Sequence, residues 1–200
     1  MMSPNESEEF AEAVAAVQEG DYETVKEMVL SNSLHPNAVD SGNCTLLHWA
    51  AINNRCQIAH LLVDHGAEMN AGGILYETPL MWAVRKRYYA VAQLLVDKTH
   101  PDLKHKSRDG LDALHLAIRL QDVNGAYLLL CWGANPNSED DDGLSPLLYL
   151  VKTQEPNATT VEMIRILLRF DADVTKTDRE GEYGNLYHTQ CMHTHTPYFH

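Results

Sequence analysis

One motif recurs at a fixed interval, and nothing else in the sequence restricts the fold as strongly. Thr45-Leu46-Leu47-His48-Trp49-Ala50-Ala51 returns as Thr78-Pro79-Leu80-Met81-Trp82-Ala83, as Asp112-Ala113-Leu114-His115-Leu116-Ala117, and as Ser145-Pro146-Leu147-Leu148-Tyr149-Leu150. The starts lie 33, 34 and 33 residues apart. A period of this length marks a stack of repeats, each burying its apolar face only against its neighbours. The motif itself predicts a helix start. Its first Thr, Asp or Ser can accept a hydrogen bond from the helix N-terminus. Pro in second place suits the first turn, where a missing N–H costs nothing. The third residue, Leu, points to the core, and a small Ala further on lets another helix lie close. A second apolar helix follows each copy: Ile58, Leu61 and Leu62; Val91, Leu94 and Leu95; Tyr127 to Leu130; Val161 to Phe170.

The pattern resembles the ankyrin repeat, two antiparallel helices joined to the next pair by a hairpin-like loop. It predicts an all-α ankyrin-repeat solenoid of about five repeats plus an incomplete sixth. Residues 1–9 read as a flexible acidic N-terminus, 10–181 as the repeats, and 182–200 as an incomplete terminal repeat or tail. The first repeat starts at Phe10 and lacks the motif, as a capping repeat can. Gly66 is placed to end its helix in a left-handed conformation. Lys98-Thr99-His100-Pro101 replaces the usual Gly-Ala turn, and Thr153 to Thr160 is an insertion between the helices of the fifth repeat. Asn185-Leu186-Tyr187-His188 opens like a further first helix without a partner, which suggests a truncated or alternatively ended chain.

The formal net charge is −13. Such a balance argues against nucleic acid, whose phosphates call for Lys and Arg, and offers nothing to anionic lipid. The four cysteines, Cys44, Cys56, Cys131 and Cys191, are scattered and form no Cys-x-x-Cys pair, which fits a reducing, cytoplasmic setting. No run of apolar residues is long enough for a transmembrane helix, and residues 1–10 lack a signal-peptide core.

A narrower resemblance rests on Thr45-Leu46-Leu47-His48-Trp49-Ala50-Ala51-Ile52-Asn53-Asn54-Arg55, on Gly72-Gly73 ahead of Thr78-Pro79-Leu80-Met81-Trp82-Ala83-Val84-Arg85, and on Thr177-Asp178-Arg179-Glu180-Gly181. Over roughly residues 10–190 these resemble the ankyrin region of the DHHC-type protein S-palmitoyltransferases, the branch of the yeast Akr protein and the huntingtin-interacting acyltransferases. Full-length members carry transmembrane helices and an Asp-His-His-Cys loop after the repeats, and neither is in these 200 residues. The resemblance implies the non-catalytic, substrate-recruiting part of such an enzyme or a shortened form of it, at the cytosolic face of Golgi or other endomembranes. It leaves open whether the chain is part of an enzyme; the alternative is a free-standing cytosolic ankyrin adaptor.

The candidate site is a column. Trp49, Trp82, Leu116 and Tyr149 each lie four residues after their repeat's first position, and are expected to face the concave groove as an exposed stripe, against the reading that the tryptophans pack between repeats. Asn53 follows Trp49 by one helical turn and carries both a donor and an acceptor. In the resembled enzymes the positions matching Asn53 and Trp82 help hold an extended Val/Ile-rich peptide ending in Gln-Pro. The expected peptide-binding residues are therefore Asn53, Trp82, Trp49 and Tyr149. His48 and His115 are expected to bond backbone between repeats, since no catalytic constellation accompanies them. No catalytic residue, metal site or cofactor is assigned. The tail His188, Cys191, His193, His195 and His200 matches no closed zinc spacing. Glu139-Asp140-Asp141-Asp142 fails as a calcium loop and reads as a solvated tip. Gly72-Gly73 reads as a tight turn between repeats, and the Cys56–His60 pair as incidental.

Overall fold

The computed structural model describes residues 4–31, 33–99, 102–155 and 157–181. Ten α-helices follow one another there as five antiparallel pairs: α1 (Pro4–Glu19) with α2 (Tyr22–Leu30), α3 (Leu46–Ile52) with α4 (Cys56–Asp64), α5 (Pro79–Arg85) with α6 (Tyr89–Thr99), α7 (Ala113–Arg119) with α8 (Val123–Cys131), and α9 (Pro146–Thr153) with α10 (Ala158–Arg169). The odd-numbered helices pack side by side from α1 to α9 as an inner layer. In the outer layer α2 lies on α4, α4 on α6, and α8 on α10. Trp132 at the end of α8 ties back to α6 by donating its indole N–H to Gln93 Oε1 at 3.1 Å.

The motif forms these helices for the reasons its residue types imply. Thr78 Oγ accepts from the N–H of Met81, Asp112 Oδ1 from His115 and Ser145 Oγ from Leu148, at 3.3, 2.9 and 3.2 Å. Leu46, Leu80, Leu114 and Leu147 are buried, and Ala50, Ala51, Ala83 and Ala117 are fully so, which brings the inner helices close. Gly66 and Gly133 stop α4 and α8 with φ of 86° and 94°.

Two boundaries differ from expectation. Helix α1 already runs from Pro4, so part of the stretch read as a flexible lead is helical. Pro suits a first helical turn, where its missing N–H leaves no intrahelical bond unmade. The insertion in the fifth repeat is shorter than Thr153 to Thr160: α9 keeps Thr153, and Asn157 caps α10 through the N–H of Thr160 at 2.9 Å. The His-rich tail and the opening of the sixth repeat lie outside the described residues.

Between pairs the chain makes hairpin-like fingers. Val39 and Thr45 form an antiparallel bridge in the first. Asp40 closes its tip by accepting from the N–H groups of Gly42 and Cys44 at 2.8 and 2.9 Å. Asp140 repeats the device with Asp142 and Leu144 at 2.9 and 2.8 Å. The acidic run at 139–142 is therefore only partly a solvated tip: Asp140 is buried in its own turn, and Asp141 and Asp142 stay exposed.

Candidate functional site in the groove

The inner layer and the fingers enclose a groove, and the structure brings Trp49, Trp82 and Asn53 together at one end of it. The indoles of Trp49 and Trp82 meet edge to face, centroids 6.0 Å apart at 87°. His48 meets Trp82 in the same manner at 5.1 Å. Asn53, at the end of α3, donates from Nδ2 to the carbonyl of Trp49 at 2.8 Å. Its Oδ1 has no donor among the described residues. Trp49 donates its indole N–H to Asp40 Oδ2 at 3.1 Å. Asp40 thus spends one oxygen on the finger and the other on the ring, so that the fold of the first finger sets the tilt of the indole.

The expected exposed stripe is not what forms. Trp82 is only 6% exposed and Leu116 only 4%. Trp49 and Tyr149 are half-buried. Closely packed inner helices let the ring of one repeat lie over that of the next, so Trp82 is covered by Trp49 and by His48 on its way to the groove. Trp82 is therefore a packing residue, and Trp49 is the indole that reaches the surface. Tyr149 sits on α9, two inner helices beyond α5, and does not join the cluster.

Beside Trp49 lies a concavity of about 840 Å³, lined by Phe10, Ala11 and Val14 of α1 and by Val39, Asp40 and Ser41 of the first finger. Its walls are largely apolar, with one carboxylate at the rim. Sequence reasoning missed the contribution of α1, because the first repeat lacks the motif that flags an inner helix. Asp40 was also missed, although its recurrence as Asp140 before a Gly-containing turn is a signal the sequence carries.

The histidines do what their place predicts. His48 accepts the backbone N–H of Thr45 on Nδ1 at 3.1 Å and donates from Nε2 to the carbonyl of Glu77 in the next finger at 3.0 Å. Burial drives its pKa down to about 4, against the pull of the Glu77 carbonyl, so the ring is neutral. His115 bonds Asp112 Oδ1 at 2.9 Å and the Leu144 carbonyl at 3.1 Å. Burial opposes its charge, but the Asp112 carboxylate outweighs burial and raises the pKa. Gly73 is a close-approach glycine: a Cβ there would lie 2.9 Å from His48 Nε2 and 3.0 Å from Cys44 Sγ. His60 turns to Asp64 at 2.8 Å. Among the described residues no group of three or more His, Cys, Asp or Glu is arranged to hold a metal.

Comparison with known proteins bears on the repeats themselves. The family model for ankyrin repeats (3 copies) matches residues 13–107 and 75–140. ZDHHC13 of Danio rerio is 33% identical over 177 residues, covering 87% of this chain and 26% of the relative. Palmitoyltransferase akr1 of Schizosaccharomyces pombe is 33% identical over 135 residues, covering 67% of this chain and 21% of the relative. Palmitoyltransferase ZDHHC13 of Mus musculus is 31% identical over 171 residues, covering 83% and 26%. The chain thus spans about a quarter of the length of these relatives. Among solved structures, the crystal structure of EF0377, an ankyrin repeat protein, superposes with a TM-score of 0.80 at 25% identity, covering 92% of this chain and 94% of that one.

Proposed function

The chain belongs to the ankyrin-repeat family, a protein-interaction architecture, and on that premise we propose that it binds extended segments of partner proteins along its groove and so recruits them for S-palmitoylation. The observation that carries this reading is the surface next to Trp49. An indole with its N–H already satisfied by Asp40 presents an apolar face beside the concavity under α1, and Asn53 holds a free carbonyl one helical turn away. An extended backbone needs such an acceptor for its N–H groups, and a half-buried aromatic ring is a common hot spot. The link to acyl transfer comes from the similarity to palmitoyltransferases, of which this stretch would be the recruiting part. By the same route the bound segment is proposed to be Val/Ile-rich and to end in Gln-Pro, and the place of action to be the cytosolic face of an endomembrane. Among the described residues no helix is long and apolar enough to cross a membrane.

The test separates Trp49 from its prop. Trp49→Ala and Asn53→Ala are each expected to lower the affinity for such a peptide by about 1 kcal/mol or more while thermal stability changes little. Trp82→Ala is expected to cost about 3 kcal/mol of folding stability through the cavity it leaves. Peptide titration and thermal melts check both. Unchanged affinity in both Trp49→Ala and Asn53→Ala would sink the groove reading.

A further inference from the structure

The acidity of the chain is unevenly distributed. Of its 15 Lys and Arg, eight fall between residues 85 and 119, a stretch that holds only four of the 28 Asp and Glu. Part of that excess lines the groove. Seven residues after each motif start stand Ile52, Arg85, Arg119 and Lys152. Each lies three residues after the aromatic column, so it shares that face of its helix. Arg85, Arg119 and Lys152 are all exposed. Arg85 is anchored by the buried Glu77, with Nε donating to Oε2 at 3.3 Å, and Lys152 by Asp178. Arg119 has no carboxylate partner among the described residues. Lys86, next to Arg85, is exposed as well. At the other end of the groove the matching position is Ile52, half-buried and about one helical turn after Trp49.

Packed helices stand about 8–10 Å apart. A polyproline II segment advances about 3.1 Å per residue and returns to the same face every third residue, about 9.3 Å along. One such turn therefore matches one repeat. We propose, resting on the groove reading above, that the partner segment is acidic: apolar residues seat beside Trp49 and Ile52, and Asp or Glu at every third position meet Arg85, Arg119 and Lys152 in turn. The anchored Arg85 and Lys152 are held in place as donors, and Arg119 supplies the uncompensated charge. The net charge of the whole chain would repel such a segment, and the local column is what admits it.

The experiment uses the full chain and a labelled peptide of about twelve residues, with two Val at one end and Glu at every third position among prolines. A second peptide carries Gln in place of each Glu. Anisotropy titrations are run at about 50 and about 300 mM salt. The Glu peptide is expected to bind about fivefold tighter than the Gln peptide at low salt, with the gap closing at high salt. Arg119→Glu is expected to erase the gap with the thermal midpoint unchanged. Equal binding of the two peptides, with loss of both in Trp49→Ala, overturns this proposal and leaves the groove reading standing. Binding of neither peptide overturns this proposal, and the groove reading falls with it only if a Val/Ile-rich peptide ending in Gln-Pro also fails to bind. Self-association by light scattering that Arg119→Glu abolishes, without preference for the Glu peptide, assigns the cations to the acidic finger of a second copy and also overturns it.

Discussion

His48 shows how one side chain joins three parts of the molecule. It closes the start of its own helix through Thr45, reaches the next finger through Glu77, and supports the buried ring of Trp82. Its neutrality has a consequence for pH. The unfolded chain takes a proton at this histidine below about pH 6.5, whereas the folded ring resists protonation until about pH 4. Its contribution is therefore complete above pH 6.5 and is lost as the pH falls towards 4, by up to roughly 3 kcal/mol. His115 has the opposite sign: its raised pKa stabilises the fold fully below the ordinary histidine value, and that part is lost as the pH rises through the raised one. Melting wild type and His48→Asn at pH 7.5 and at pH 5 isolates the first effect. The wild type is expected to lose more stability on acidification than the variant, and equal losses would contradict the neutral, buried ring.

At the scale of the element, the fingers and turns carry a second ladder beneath the helical one. Asn37 donates from Nδ2 to the carbonyl of Gly66 at 3.0 Å and accepts on Oδ1 from the N–H of Glu68. Asn137 does the same with Asp171 and Asp173 at 3.1 and 2.7 Å, and Asn70 accepts from the N–H of Asp102 at 3.1 Å. Leu103 stands at the corresponding place in the repeat between them, where no amide can reach across. Arg55 works similarly, donating from its guanidinium to the carbonyls of Val17 and Gln18 at the end of α1. The Asn-Asn-Arg run that sharpens the family resemblance is thus partly a structural joint. Asn37→Ala removes both bonds at one joint and is expected to cost about 1–2 kcal/mol. Urea unfolding of the variant measures it, and Leu103→Ala should lack this hydrogen-bond contribution. The capping residues, the apolar second helices and the Gly66 turn were legible beforehand because each depends on local chemistry. The start of α1 was missed although Pro4 marks it locally, and the role of Asp40 was missed because it depends on Trp49 in the motif of the following repeat.

Across the whole molecule, stability is shared between neighbours. Among the described residues, α3 to α8 have a helix pair on both sides, while α1–α2 and α9–α10 each have one on a single side. Repeat stacks behave as nearly one-dimensional chains of intrinsic and interface energies. Amides of α5 and α7 are expected to exchange with solvent at least about tenfold more slowly than those of α10. Hydrogen exchange followed by mass spectrometry reads this, and uniform protection along the chain would show a single cooperative unit instead. The same linear layout keeps unlike surfaces apart: an apolar end by α1 and Trp49, and a cationic stretch over Arg85 and Arg119 in a chain whose net charge is −13.

The repeat period and the starts of the motif helices came from the sequence alone, because a cap, a turn or a 3.6-residue stripe is decided within a few residues of itself. Which aromatic side chain of an aligned column reaches solvent is a different kind of question. Trp49 and Trp82 occupy equivalent motif positions, yet one is half-buried and the other 6% exposed. Only the stacking of one inner helix on the next settles that, since the ring of each repeat is roofed by whatever the preceding repeat places above it.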